Sequence, residues 1–78
     1  MDNKVYFASN LRFLRKKEHQ SQTELGKLIG KSYNAIFNYE VGRNEPTLKE
    51  VMIFAEHFGV TVESLICDDL AFIDRGKR

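Results

Sequence analysis

The stretch Ser21–Gly42, SQTELGKLIGKSYNAIFNYEVG, decides the fold. Ser21 opens a helix, because its hydroxyl can accept from the Glu24 amide while the Glu24 carboxylate reaches back to the Ser21 amide, a reciprocal capping box. Leu25, Leu28 and Ile29 supply the buried stripe of that helix, and Gly30 ends it, since glycine takes the left-handed conformation at low cost. Two residues later Ser32 is placed to cap another helix, from about Tyr33 to Tyr39 or Glu40. Ile36 and Tyr39 sit at i and i+3 and face inwards, and Gly42 provides the stop. The stretch therefore predicts two short helices joined by the turn Gly30-Lys31-Ser32.

Outward from this pair the apolar residues also recur at helical spacing, and strand-like alternation is largely absent. Upstream, a first helix is expected from about Lys4 to Glu18, with Phe7, Leu11 and Leu14 on one inward face. Downstream, a loop of Arg43-Asn44-Glu45-Pro46 leads to Thr47, which forms a second capping box with Glu50. The fourth helix carries Leu48, Val51, Ala55 and Phe58 as its stripe and stops at Gly59. Thr61 caps a short fifth helix carrying Val62, Leu65 and Ile66, and the residues from Cys67 onward receive no assignment. Connections of two to six residues between such helices give an all-α, compact five-helix bundle. Residues 1–68 form the domain and 69–78 a tail.

Bulk properties narrow the function. Seventy-eight residues make one domain, near the lower end of what a single core stabilises unaided. The single cysteine, Cys67, cannot form an internal disulfide, and no Cys/His group has metal-ligand spacing, so no metal and no cofactor is expected. Apolar content of 42% makes hydrophobic packing sufficient. The start, Met1-Asp2-Asn3-Lys4, has no basic region followed by an apolar run, and no apolar stretch approaches the roughly 20 residues needed to span a bilayer. A cytoplasmic protein without a membrane partner is the expectation. The net charge of +1 hides two basic clusters, Arg12, Arg15, Lys16 and Lys17 early and Arg75, Lys77 and Arg78 at the end. Such clusters can sit near phosphates, but charged residues on helices usually just face water. His19, His57 and Cys67 form no catalytic set, so no enzyme is expected.

The tight turn between the second and third helices forces a steep crossing, the geometry of a helix-turn-helix, and leaves one face of the third helix free to enter a major groove. Taken together, Ser21-Gln22-Thr23-Glu24-Leu25-Gly26, Gly30-Lys31-Ser32, Ile36, Tyr39-Glu40, Gly42 and Pro46-Thr47-Leu48 resemble the phage-repressor and Cro-like helix-turn-helix family, often called the Xre family. The resemblance covers about residues 7–66. It implies the lambda-repressor-like fold and a sequence-specific transcriptional regulator, a repressor reading double-stranded DNA.

The resemblance implies that Gln22 bonds a DNA phosphate and braces the third helix, aided by the partial positive charge of the helix start. It also implies a salt bridge between Arg15 and Glu40, locking the first helix to the third. Tyr33, Asn34, Phe37 and Asn38 lie on the outward side of the third helix, since Ile36 and Tyr39 face in. Asn34 is the candidate for base readout, because an amide can bond adenine N6 and N7 together. Asn38 can meet a base edge or a phosphate, and Tyr33 a phosphate or a sugar. Phe37 departs from the family, which mostly carries a polar residue there; it either packs on a thymine methyl group or belongs to the core. Ser32 caps the helix and has a secondary chance of a phosphate contact. Lys31, Arg43 and Asn44 are backbone neighbours that position without reading sequence. Gly26 occupies the motif's alanine position, where a small residue is needed because the two helices approach closely; glycine is a tolerated departure that costs about 1 kcal/mol of helix propensity.

One short recognition helix reads few base pairs, so a homodimer on a two-fold site is expected. Val62, Ile66, Leu70, Phe72 and Ile73 are the candidates for the self-contact. The patch Leu70-Ala71-Phe72-Ile73 either folds back on Phe13 and Tyr6 or pairs with its twin. Larger relatives carry a further domain for which 78 residues leave no room, so no small-molecule ligand is expected. Two rival readings are an antitoxin that binds a partner toxin and a protein-interaction module that has lost DNA binding.

Overall fold

Tyr6 sets where the first helix begins. In a computed structural model, which describes residues 5–76, the Tyr6 amide donates to the Ile66 carbonyl at 2.7 Å. That bond ties the backbone at residue 6 to a distant helix, and α1 (Phe7–Lys17) starts at the next residue. The expected start at Lys4 lies outside the described residues, as do Met1, Asp2, Asn3, Lys77 and Arg78; Val5 is not helical. At its other end α1 stops one residue short of the expected Glu18, and His19 follows in the left-handed region at φ 56°.

Five further helices follow among the described residues: α2 (Gln22–Leu28), α3 (Tyr33–Glu40), α4 (Leu48–Phe58), α5 (Val62–Cys67) and α6 (Leu70–Gly76). The fold is all-α as expected, with six helices rather than five and no strand among the described residues. Local chemistry explains the starts. Ser21 Oγ accepts from the Glu24 amide at 3.0 Å and Glu24 Oε1 accepts from the Ser21 amide at 2.8 Å. Thr47 and Glu50 repeat this reciprocal pair at α4, and Thr61 Oγ1 accepts from the Ser64 amide at α5.

Phe7, Leu11 and Leu14 of α1, Leu25 of α2, Ile36 and Tyr39 of α3, Val51, Phe54 and Ala55 of α4, and Leu65 of α5 form one core. Two expectations about it need correction. Leu48 is 70% exposed, and Phe54, which has no exposed surface, takes the place assigned to it. Leu48 is the first residue of α4, where a side chain tilted towards the helix N-terminus projects past the packed surface. Leu28 is likewise exposed: the seven-residue α2 buries only Leu25 and Gly26, with Ile29 packed at the edge of the core.

The tail holds the sixth helix. Asn10, 1% exposed, donates from Nδ2 to the carbonyls of Leu65 at 2.8 Å and Asp68 at 2.7 Å, while its Oδ1 accepts from the Leu70 amide at 3.1 Å. One α1 side chain therefore satisfies both the end of α5 and the start of α6. Lys17 Nζ pairs with Asp74 at 2.9 Å, which holds α6 along α1. Leu70 packs at the core edge, as does Phe13, while Phe72 and Ile73 remain exposed.

Candidate nucleic-acid interface

The turn between α2 and α3 is closed by backbone bonds. The Lys31 amide donates to Gly26 O at 3.0 Å and the Gly30 amide to Lys27 O at 3.3 Å, with Gly30 at φ +69°, the Schellman arrangement. Gly26 faces this turn. A Cβ there would lie 2.5 Å from Lys31 O and 3.0 Å from Ser32 O. The close approach expected at residue 26 is present, and it is tight enough that a Cβ there would crowd backbone atoms.

The crossing leaves one side of α3 outward. Ile36 and Tyr39 are buried, whereas Tyr33 (58% exposed), Asn34 and Phe37 (41%) face solvent. Phe37 is therefore not one of the core residues. Asn38 is half-buried. Its Oδ1 accepts from Arg43 Nη1 at 3.2 Å, and its carbonyl accepts from the Arg43 amide at 2.9 Å, so the loop after α3 is folded against the helix. Asn44 is exposed beside it. Ser32 is the N-cap of α3 by position and extended conformation, but its hydroxyl makes no capping bond, contrary to expectation. The Ala35 amide, the usual target, is taken by the Ser32 carbonyl at 3.1 Å, and alanine at that position offers no side chain to reciprocate.

Two ionic groupings hold α3 in place. Glu40 receives Arg15 as a fork, Nε to Oε2 at 2.6 Å and Nη2 to Oε1 at 3.0 Å, with the Glu40 side chain nearly buried. The guanidinium also donates to Gln20 O at 3.0 Å, and the bond to Glu40 raises the Arg15 pKa. Gln22 Nε2 donates to Glu40 Oε1 at 3.1 Å, which draws the start of α2 into the same group. Nε2 carries two hydrogens, so one remains for a second acceptor.

The second grouping was invisible to the sequence reading. Lys31 Nζ lies 2.7 Å from Glu50 Oε2 and 3.2 Å from the Tyr39 hydroxyl, and that hydroxyl donates to Glu50 Oε1 at 2.6 Å. Burial pushes the Glu50 carboxyl up, but the bonds from Lys31, Tyr39 and the Thr47 amide outweigh it and leave its pKa below the usual value. Glu50 acts on its partners in turn, raising the Lys31 pKa. The turn lysine is thereby fastened to the start of α4. Its only sequence signal was the Thr47/Glu50 capping spacing, which accounts for Glu50 without Lys31.

Arg12 and Lys16 of α1, Gln22 of α2, Phe37 of α3 and its C-cap Val41 line an open groove beside the outward face. The paired Arg15 and Glu40 line it too, so Arg12 and Lys16 are the further cations that share it with two apolar side chains. Among the described residues no group of His, Cys, Asp or Glu is arranged to hold a metal, and no helix is long and apolar enough to cross a membrane.

The family model described as helix-turn-helix (HTH_3) matches residues 11–65. The cryptic phage CTXphi transcriptional repressor RstR of Vibrio cholerae is 34% identical over 68 residues, covering 87% of this chain and 61% of the relative. The chain thus spans about three fifths of that relative's length. The P22 c2 repressor, crystallised with the synthetic operator 9T, aligns with a TM-score of 0.74 at 27% identity, over 81% of this chain and 96% of that one. A hydroxypropylphosphonic acid epoxidase from S. wedmorenis aligns at 0.71 and 22% identity, over 83% of this chain and 36% of the epoxidase. At that identity it shares the fold alone, within a much longer chain.

Proposed function

This chain belongs to the HTH_3 helix-turn-helix family, and from that premise we propose that it is a sequence-specific DNA-binding transcriptional regulator. It acts in the cytoplasm as a homodimer that reads the major groove with α3 and represses transcription. The observation that carries this reading is the outward face of α3, where Tyr33, Asn34 and Phe37 are exposed on a helix pinned from behind by Glu40. A pinned helix with free side chains is what direct readout of base edges requires. RstR is itself named a transcriptional repressor, and the P22 c2 repressor was crystallised on an operator; both support the proposal.

In this reading Asn34 and Asn38 meet base edges. Gln22 uses its remaining amide hydrogen on a phosphate at the start of α2, and the Ser32 hydroxyl meets one at the start of α3. Tyr33 lies against the sugar-phosphate chain, with Arg43 and Asn44 alongside. Lys31 stands nearby, but Glu50 matches its charge and weakens its pull on phosphate. A fluorescence-anisotropy titration tests the proposal. Duplexes selected from a random pool should bind far more tightly than random duplex, and the affinity should fall steeply with salt. Equal affinity for selected and random duplexes would sink it and leave a protein-interaction module as the better reading.

A further inference from the structure

The outward face of α3 carries two rows of different chemistry. Asn34 and Asn38, one turn apart, form an amide row. Tyr33, Phe37 and Val41 stand at i, i+4 and i+8 and form an apolar row, and all three are exposed. Val41 ends α3 as its C-cap, so the row runs the full length of the helix. Phe37 and Val41 also line the groove shared by Arg12 and Lys16, beside the Arg15–Glu40 pair. A face of this kind is costly to leave against water, because each ring and branched side chain keeps apolar surface solvated. Nothing in the core needs these residues, since Ile36 and Tyr39 already bury the inner side of α3.

Resting on the DNA-binding reading above, we propose that Phe37, backed by Val41, is a thymine-methyl reader that sets part of the sequence preference. The chemistry leaves one candidate in the major groove. A phenyl ring neither donates nor accepts a conventional hydrogen bond, and the only apolar group that a base pair presents there is the C5 methyl of thymine. The neighbouring features agree with a strand lying along this groove. Arg12 and Lys16 offer cations to its phosphates on one side, and the apolar wall faces its base edges on the other. Gln22, which lines the same groove, brings its free amide hydrogen to the same strand. The division of labour follows from the two rows: the amides choose by hydrogen bonds, and Phe37 chooses by a methyl that cytosine lacks.

The test begins with duplexes that the wild-type protein selects from a random pool, in which each thymine is then replaced in turn by deoxyuridine. That exchange removes the methyl group and keeps every hydrogen-bonding group. The expected result is one thymine per half-site at which the exchange weakens binding about fourfold, the factor that one buried methyl brings. In Phe37→Ala the same exchange should have no effect at that position, while discrimination at the position read by Asn34 is retained. A 5-methylcytosine in place of cytosine at that position should recover part of the lost affinity in the wild type and none in Phe37→Ala. Phe37→Gln, compared by circular dichroism, guards against a variant that merely unfolds. A wild type indifferent to every exchange overturns the proposal, as does a Phe37→Ala that keeps the same sensitivity. If no duplex is enriched at all, the DNA-binding reading itself falls, and that outcome is visible before any exchange is made.

Discussion

Gln22 and Glu40 are bonded amide to carboxylate at 3.1 Å, on the same oxygen that receives Arg15 Nη2. The start of α2 and the end of α3 are therefore held by one nearly buried acid, and the two residues should answer differently to removal. Glu40→Ala leaves the Arg15 guanidinium without its partner in a largely desolvated position and should cost about 3 kcal/mol. Thermal melting by circular dichroism would show it, and DNA binding would disappear along with the fold. Gln22→Ala leaves the Arg15 fork in place, so the melting temperature should hardly move while affinity drops for all duplexes alike. A stable Glu40→Ala would mean that the bridge contributes little.

Asn34→Ala should keep the fold, because the side chain is exposed and, among the described residues, makes no bond that holds α3. It should lose about 1–3 kcal/mol of discrimination between selected and mismatched duplexes, with little change in binding to random DNA. Unchanged discrimination would place base readout elsewhere on α3.

Gly26→Ala sets two effects against each other. Alanine gains about 1 kcal/mol in helix propensity, but its Cβ would meet Lys31 O at 2.5 Å and force the turn outward. Overpacking of this severity costs about 1–3 kcal/mol, and the obstacle is backbone rather than a flexible side chain. The net should be destabilising by about 1 kcal/mol, or about 4–8 °C in melting temperature for a domain of this size. A rise in melting temperature would show that the turn yields cheaply.

Acid should release the Lys31–Glu50 pair. The folded Glu50 carboxyl lies below its ordinary value of 4.5, so its contribution is fully present above that pH. It is lost as the pH falls through the folded value, because protons then bind the unfolded chain more readily. Melting temperature followed from pH 7 downwards should therefore fall in acid, and Glu50→Gln should flatten that fall while being less stable at neutral pH. An identical acid slope in the variant would assign the effect to other carboxylates.

Phe72→Asp combined with Ile73→Asp tests self-association without touching the Asn10 bonds. If α6 supplies the dimer contact, sedimentation should shift to a monomer with the melting profile of α1–α5 kept. Removal of residues 69–78 is a poorer test, since it strips the Leu70 amide from Asn10 Oδ1 and perturbs the core at the same time. An unshifted sedimentation coefficient would move the contact elsewhere.

What was legible in the sequence was local. The capping boxes at Ser21/Glu24 and Thr47/Glu50 and the glycine at 30 depend on residues within four positions of each other, and all three stand as read. The Arg15–Glu40 bridge joins residues 25 apart and was reached only through family resemblance. What was not legible was long-range. Helix α6 needs Asn10, sixty residues away, to receive the Leu70 amide, and no periodicity announces such a partner. Lys31 read only as a neighbour of the DNA backbone because its acid sits on another helix, and Leu48 read as core because spacing alone does not say where a helix end overhangs its neighbours. On the interface itself, spacing correctly separated the inward Ile36 and Tyr39 from the outward Tyr33, Asn34 and Phe37.

The Asn10 bonds also bear on synthesis, which delivers the chain from its first residue onward. Asn10 leaves the ribosome before Leu65, Asp68 and Leu70. Until they arrive, a polar amide destined for the interior has only water to bond, and burying it as α1 packs is penalised. Because α1 carries Arg15, the brace on α3 waits too. On the proposed DNA-binding function, a nascent chain halted in α4 should compete poorly for an operator, and reading ability should switch on once residues 65–70 have emerged rather than grow with length.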